Sequence, residues 1–169
     1  MTVKDGLDAT VSRAYVDWRG DVYRYLLSLG LYPPQAQEAT QEVFLRLYTT
    51  LGKGGEPILN LRAWVFRTAH NLGLTLRSRE SGALPFDGLV EATIADGGQG
   101  PERSLIEREK LKRVHQAVTQ LSPQQRQCLR LRAEGLKYEE IAETIGISVS
   151  SVYEFLRRAV TRLRKAVYE

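Results

Sequence analysis

With 169 residues, 43% of them hydrophobic and 26% charged, the chain has the composition of a soluble globular protein and room for one medium domain or two small ones. The formal net charge of +4 is uneven: the cation excess follows Pro101, while residues 81–100 hold no Lys or Arg, which suits a polyanionic partner. One cysteine, Cys128, excludes an internal disulfide and a cysteine metal cluster, and no apolar run reaches membrane-spanning length.

The first predicted element is a long amphipathic helix. Val11, Tyr15, Trp18, Val22, Leu26 and Leu29 recur at spacings of three or four, up to Gly30. Pro33-Pro34 interrupts the pattern and opens a second helix. There Ala36, Ala39, Val43, Leu47 and Leu51 face inward, with Phe44 and Tyr48 widening the stripe. Thr40, Gln41, Glu42, Leu45 and Arg46 mark the outer side, where an exposed leucine suits a protein contact. Gly52, Gly54, Gly55 and Pro57 make a loop that carries Lys53.

Asn60 is a good cap for a third helix whose apolar face is Leu61, Trp64, Val65, Ala69, Leu72 and Leu76. Arg62, Arg67, His70, Asn71, Arg77 and Arg79 lie around it. Arginines beside aromatic rings suit single-stranded DNA, although Trp64 fits the buried periodicity and is assigned to the core. The stretch from Glu80 to Gly100 is glycine-rich, carries Asp87, Glu91 and Asp96, and reads as a linker between two domains. Pro101 restarts helix, continued by Leu111, Val114, Val118 and Leu121.

The C-terminal segment is the most specific. Ser122 caps a helix that opens at Pro123, with Gln125 as capping-box partner, and Gly135 ends it. A short helix with Ile141, Ala142 and Ile145 follows and breaks at Gly146; Ser148 caps the last helix. In that helix Val152, Leu156, Ala159, Val160 and Leu163 keep one face, and Arg157, Arg158, Arg162, Arg164 and Lys165 crowd the rest. Two short helices joined at a glycine, the second basic, describe a helix-turn-helix whose second helix enters a DNA major groove. Cys128 falls in an apolar pattern and reads as a buried thiol. His70 and His115 lack partners at metal-ligand spacing, and no triad, carboxylate pair, phosphate loop or metal constellation points to an enzyme or a cofactor. The residues from Met1 include Asp5 and Asp8 and no signal-peptide core, so the expected location is cytoplasmic, without membrane insertion.

Across 15–163 the chain resembles a bacterial RNA polymerase sigma factor of the extracytoplasmic-function class. Ala39-Thr40-Gln41-Glu42-Val43-Phe44-Leu45-Arg46-Leu47 is similar to that family's D-x-x-Q-E-x-F-x-R motif. Leu61 to Leu72 is similar to its R-A-W-L-x-x-I-A-x-N helix. Leu121 to Val152 follows its C-terminal pattern, with Tyr138, Glu140, Ile141, Ala142, Gly146, Ile147 and Ser148 in place. It departs at Ser150-Ser151, where the family usually has Gly-Thr, at Tyr153-Glu154-Phe155, where it has Lys-Ser-Arg, and at Thr75, which replaces an aspartate.

The resemblance implies an all-α fold of two small helical domains, 10–80 and 102–169, joined by a flexible linker over 81–101. It implies that Gln41, Glu42, Phe44, Leu45 and Arg46 bind core polymerase, at the clamp of the largest subunit, with the flap region a further contact. Lys53, Asn60, Arg62, Arg67, His70, Asn71, Arg77 and Arg79 would hold the melted −10 strand. Ser148, Ser150, Ser151, Tyr153, Glu154, Arg157, Arg158 and Arg162 would read the −35 duplex. The partners implied are core polymerase, promoter DNA and an anti-sigma factor, with the chain itself a monomer. The competing reading of the residues is a dimeric helix-turn-helix regulator whose N-terminal helices sense a ligand or dimerise.

Overall fold

The computed structural model describes residues 2–80 and 104–169, which hold seven helices and, among the described residues, no strand. The fold is all-α, and the chain divides into two compact units, Met1–Leu84 and Pro85–Glu169. The predicted linker, and the restart of helix at Pro101, lie outside the described residues.

The first unit is a three-helix assembly of α1 (Val3–Ser28), α2 (Pro33–Gly52) and α3 (Leu61–Arg79), each packed on the other two. Helix α1 begins eight residues before the predicted apolar stripe. A capping box sets that start: Thr2 Oγ1 accepts from the Asp5 amide at 3.2 Å, and the Thr2 amide donates to Asp5 Oδ2 at 2.7 Å. It ends at a left-handed Gly30 (φ +97°), whose amide returns to the Leu27 carbonyl while Leu31 returns to Leu26. This Schellman closure turns Leu29 and Leu31 inward, and both are fully buried. Helix α2 opens on Pro33-Pro34 with Gln35 Oε1 accepting from the Tyr32 amide at 3.0 Å, and Asn60 Oδ1 caps α3 at the Ala63 amide, also at 3.0 Å.

The core of this unit is Val22, Leu26, Val43, Leu47, Val65 and Phe66, with Tyr25 edge-on to Phe66 at 5.7 Å. Gly73 lets α3 lie close against the end of α1: a Cβ there would stand 2.8 Å from Leu29 Cδ1 and 3.0 Å from Leu26 Cδ2. Thr40 corrects the sequence reading. It is buried rather than outward, because its hydroxyl donates to the Ala36 carbonyl at 2.7 Å and so enters the core already satisfied.

The second unit contains α4 (Leu105–Thr119), α5 (Pro123–Ala133), α6 (Tyr138–Ile145) and α7 (Val149–Tyr168). Helix α7 is its spine, packing on α4, α5 and α6, and α5 also packs on α6. Ser104 caps α4 and Ser122 caps α5, the latter with Gln125 completing a capping box. Leu121, Cys128, Leu131, Leu136, Ile141, Val152, Leu156 and Ala159 form the core. Burial pushes the Cys128 thiol up to about 11, so it is an inert filler. Two expected inward residues face water: Val160 lies a residue off the Val152–Leu156–Ala159 seam, and Leu111 sits on the outlying half of α4. Arg126 is buried and donates to the Thr119 carbonyl at 3.1 Å.

Candidate nucleic-acid interface

The turn between α6 and α7 builds the helix-turn-helix. Gly146 takes a left-handed conformation (φ +79°), which a residue with a Cβ adopts only at a cost of roughly 1 kcal/mol. The Ile147 amide then folds back to the Ala142 carbonyl at 3.1 Å. Ala142 and Val152 are buried at the crossing, which needs one small residue and one plug. Ser148 caps α7, its Oγ accepting from the Ser151 amide at 3.1 Å and lying 2.8 Å from Ser151 Oγ. Ser148, Ser150, Tyr153, Arg157 and Arg158 are exposed, and Ser151 and Glu154 half-buried. They occupy the opening turns of α7, the part of such a helix that meets base edges.

Electrostatics divide this surface. Glu154 Oε1 accepts from Arg157 Nη2 and from Arg158 Nε, each at 2.8 Å, and Oε2 accepts from Arg157 Nε at 3.1 Å. Those hydrogen bonds, Arg157 first, hold the Glu154 carboxyl down at about 2. Tyr153 reaches over Tyr138 of α6 (6.4 Å between ring centres), which in turn carries the Arg132 guanidinium at 5.4 Å. Arg162 behaves otherwise: its Nη1 donates to the Gln120 carbonyl at 2.7 Å, at the C-terminal end of α4, where a cation is favoured. It stands about 20 Å along α7 from the helix start, so its grouping with the base-reading residues is not supported by geometry.

In the first unit the −10 set separates. Lys53 and Asn71 line a cleft of about 420 Å³ between α2 and α3, together with Arg46, Thr50, Trp64 and Thr68. Trp64, expected in the core, is half-buried and forms part of this wall. Arg67 and Arg79 are exposed, and Arg77 is half-buried on the last turn of α3. His70 is a correction: it is 1% exposed and its Nδ1 shares a 2.7 Å hydrogen bond with the Tyr25 hydroxyl, so DNA does not reach it. Burial lowers it to about 4 and keeps it neutral. The buried face of α3 runs through Ala63, Val65, Phe66, Ala69, His70 and Gly73; Val65 and Ala69 lie on it as predicted, while Leu61, Trp64, Leu72 and Leu76 of the predicted stripe are half-buried. Arg62 pairs with Asp21 at 3.1 Å and lies over the rings of Trp18 and Phe66 at 5.5 and 5.1 Å, a clamp between α1 and α3. Asn60 is spent on its cap.

On α2, Gln41 and Arg46 are exposed, Leu45 is 62% exposed, and Glu42 is half-buried in an ion pair with Arg46 at 2.8 Å. Phe44, by contrast, is buried, edge-on to Tyr15 at 5.2 Å, and contributes the floor of an apolar groove of about 610 Å³ between α1 and α2 rather than a free contact. Val11 and Val16 form the far wall of that groove, which reading α2 alone missed. The signal was Val16, an apolar residue next to Tyr15 that widens the α1 stripe. Among the described residues no helix is long and apolar enough to cross a membrane, and no group of three His, Cys, Asp or Glu side chains is placed to hold a metal.

Comparison with known proteins covers both units. Residues 14–82 match the family model of sigma-70 region 2, and residues 111–163 that of sigma-70 region 4. The chain is 32% identical over 148 residues to the RNA polymerase sigma-H factor of Pseudomonas aeruginosa, covering 79% of this chain and 73% of that one. It is 27% identical to the ECF RNA polymerase sigma factor SigM of Bacillus subtilis, covering 94% and 95%. Its fold is shared with the sigma factor RpoE of Bartonella quintana, solved in complex with the anti-sigma factor NepR (TM-score 0.59, 20% identity, 92% and 95% covered). It is shared too with CnrH, solved with the cytosolic domain of CnrY (TM-score 0.55, 20% identity, 94% and 87% covered). A chain in which region 2 precedes region 4, on helices that leave a groove, a cleft and a reading helix exposed, belongs to the sigma-70 family of RNA polymerase sigma factors, in its extracytoplasmic-function class, and directs the polymerase to promoters.

Proposed function

We propose that the two units divide promoter recognition between them. The first docks on the clamp of the polymerase's largest subunit through Gln41, Glu42, Leu45 and Arg46, beside the apolar groove that Phe44 floors. It takes the opened −10 strand along the Lys53–Trp64–Asn71 cleft, with Arg67, Arg77 and Arg79 serving phosphates. The second unit reads the −35 duplex with Ser148 to Arg158 while resting on the flap region. The segment 81–101, acidic and without cations, suits a channel lined with cations. The chain acts as a cytoplasmic monomer without catalysis of its own. One protein of the same fold was solved with an anti-sigma factor and another with the cytosolic domain of a partner protein, which supports an anti-sigma partner for this one.

The observation that carries this reading is the two-sidedness of α7. Val152, Leu156 and Ala159 spend one side on the core, and the opposite side of its opening turns stays in solvent. Linking two weak DNA sites raises the effective concentration of each at the other, so neither needs high affinity alone. Run-off transcription with core polymerase on a promoter library tests it. The expected result is start sites that require the protein and depend on both promoter elements. A library with no protein-dependent start overturns it. Leu45→Ala removes an exposed side chain without touching the core. It is expected to weaken core polymerase capture several-fold with the melting curve unchanged; full capture would remove the α2 strip from the interface.

A further inference from the structure

We infer that Glu154 is a specificity-determining residue of the duplex reader: it withholds Arg157 and Arg158 from phosphate and favours G·C pairs. The inference rests on the assignment of α7 to the −35 duplex. Residues 154, 157 and 158 stand at i, i+3 and i+4, on one face of α7. Arg157 closes two donors, Nε and Nη2, on the Glu154 carboxylate. That donor pair is the one a guanidinium otherwise sets against a phosphate or against O6 and N7 of guanine. Arg158 adds a third hydrogen bond to the same carboxylate.

The three side chains are 37%, 56% and 60% exposed, so no burial holds the cluster together and DNA competes for it directly. Three hydrogen bonds from two guanidinium groups keep the carboxylate ionised at any physiological pH. The cluster therefore presents one net positive charge where the two arginines alone would present two. Non-specific affinity is counterion release and follows the cations that reach phosphate, so Glu154 lowers it by about one contact. A duplex that displaces the cluster must satisfy both halves. A G·C pair does so, with guanine O6 and N7 accepting from the arginine fork and the cytosine amino group donating to the carboxylate. An A·T pair lacks the acceptor pair and leaves the fork on Glu154.

The test uses holoenzyme assembled from core polymerase and the full chain, titrated with a −35 duplex library at several salt concentrations. Glu154→Gln is expected to bind all duplexes more tightly and to select G·C less. Its affinity is also expected to fall about threefold to fourfold further than wild type between roughly 50 and 200 mM salt, the loss of one more phosphate contact. In an Arg157→Gln, Arg158→Gln background the same change is expected to leave the salt slope unmoved, because no arginine remains for the carboxylate to withhold. Glu154→Ala gives a second readout, and circular dichroism melts confirm that each variant is folded. If Glu154→Gln keeps the wild-type salt slope and base preference while the double arginine variant loses duplex binding, the restraint is overturned and the −35 assignment stands. If the double arginine variant binds duplex as well as wild type, the −35 assignment falls and the inference falls with it.

Discussion

The two units use arginine in opposite ways. In the first, Arg62 reaches across 41 residues to Asp21 and lies over Trp18 and Phe66, so its charge is spent on joining α1 to α3. In the second, Arg157 and Arg158 answer to a carboxylate on their own helix, three and four residues away. Removing a partner from the first cluster disturbs tertiary structure; removing one from the second changes only what the surface offers a ligand. The surfaces differ in the same sense. The first unit is concave, with a groove and a cleft, and the second projects one half-exposed helix. A polymerase surface and an unstacked strand need recesses to enter, whereas a duplex needs something to enter it.

The largest effect expected separates the units as bodies. Both tryptophans, Trp18 and Trp64, belong to the first unit, so their fluorescence reports that unit alone. Leu131 is fully buried under α7, and Leu131→Ala is expected to destabilise the second unit by about 3 kcal/mol, within the usual range for buried leucines. Denaturant unfolding followed by circular dichroism should show that loss while the tryptophan transition keeps its midpoint. A matching shift of the tryptophan transition would mean that the units unfold as one body.

The second prediction singles out the first unit through pH. His70 has an ordinary value of 6.5 and is lowered to about 4 by burial. Between those values the unfolded chain binds a proton that the folded chain does not, so stability rises with pH. The contribution is complete above about 6.5 and is lost progressively as pH falls toward 4, about 3 kcal/mol in all. Tryptophan-monitored melts between pH 7 and pH 4 should show the loss, and His70→Gln, which keeps a polar partner for Tyr25 and does not titrate, should flatten the curve. An equally steep curve in that variant would assign the pH dependence to carboxylates instead.

Both experiments bear on what the sequence alone allows. The helix-turn-helix was legible because its signals are local: a serine before a helix, a glycine after one, an alanine and a valine at the crossing. The all-helical fold was legible for the same reason. The early start of α1 rests on a capping box between Thr2 and Asp5, ahead of the first residue of the predicted stripe. His70 and Arg62 were misplaced because their partners, Tyr25 and Asp21, lie 45 and 41 residues away, and helical spacing says nothing of what packs against a face. The Glu154 cluster is the intermediate case. Its spacing is readable, yet an arginine on a basic helix suggests DNA before it suggests its own neighbour.

The smallest effect expected sharpens the comparison most, because it separates stability from binding within one side chain. Ser148 satisfies an otherwise orphaned amide at the start of α7, and Ser150 and Ser151 lie within hydrogen-bond reach of its hydroxyl. Ser148→Ala is expected to cost about 1 kcal/mol, all of it in the second unit, with the tryptophan transition unmoved. Ser148→Asp restores the cap and adds a favourable charge at the positive end of the helix, so stability returns to wild type or above. That same charge faces the phosphates of any duplex the helix enters, so −35 binding is expected to fall below that of the alanine variant, most clearly at low salt. Were the aspartate variant both stable and undiminished in duplex binding, the opening turn of α7 would not be the part that approaches DNA, and the two-sidedness of that helix would need another explanation.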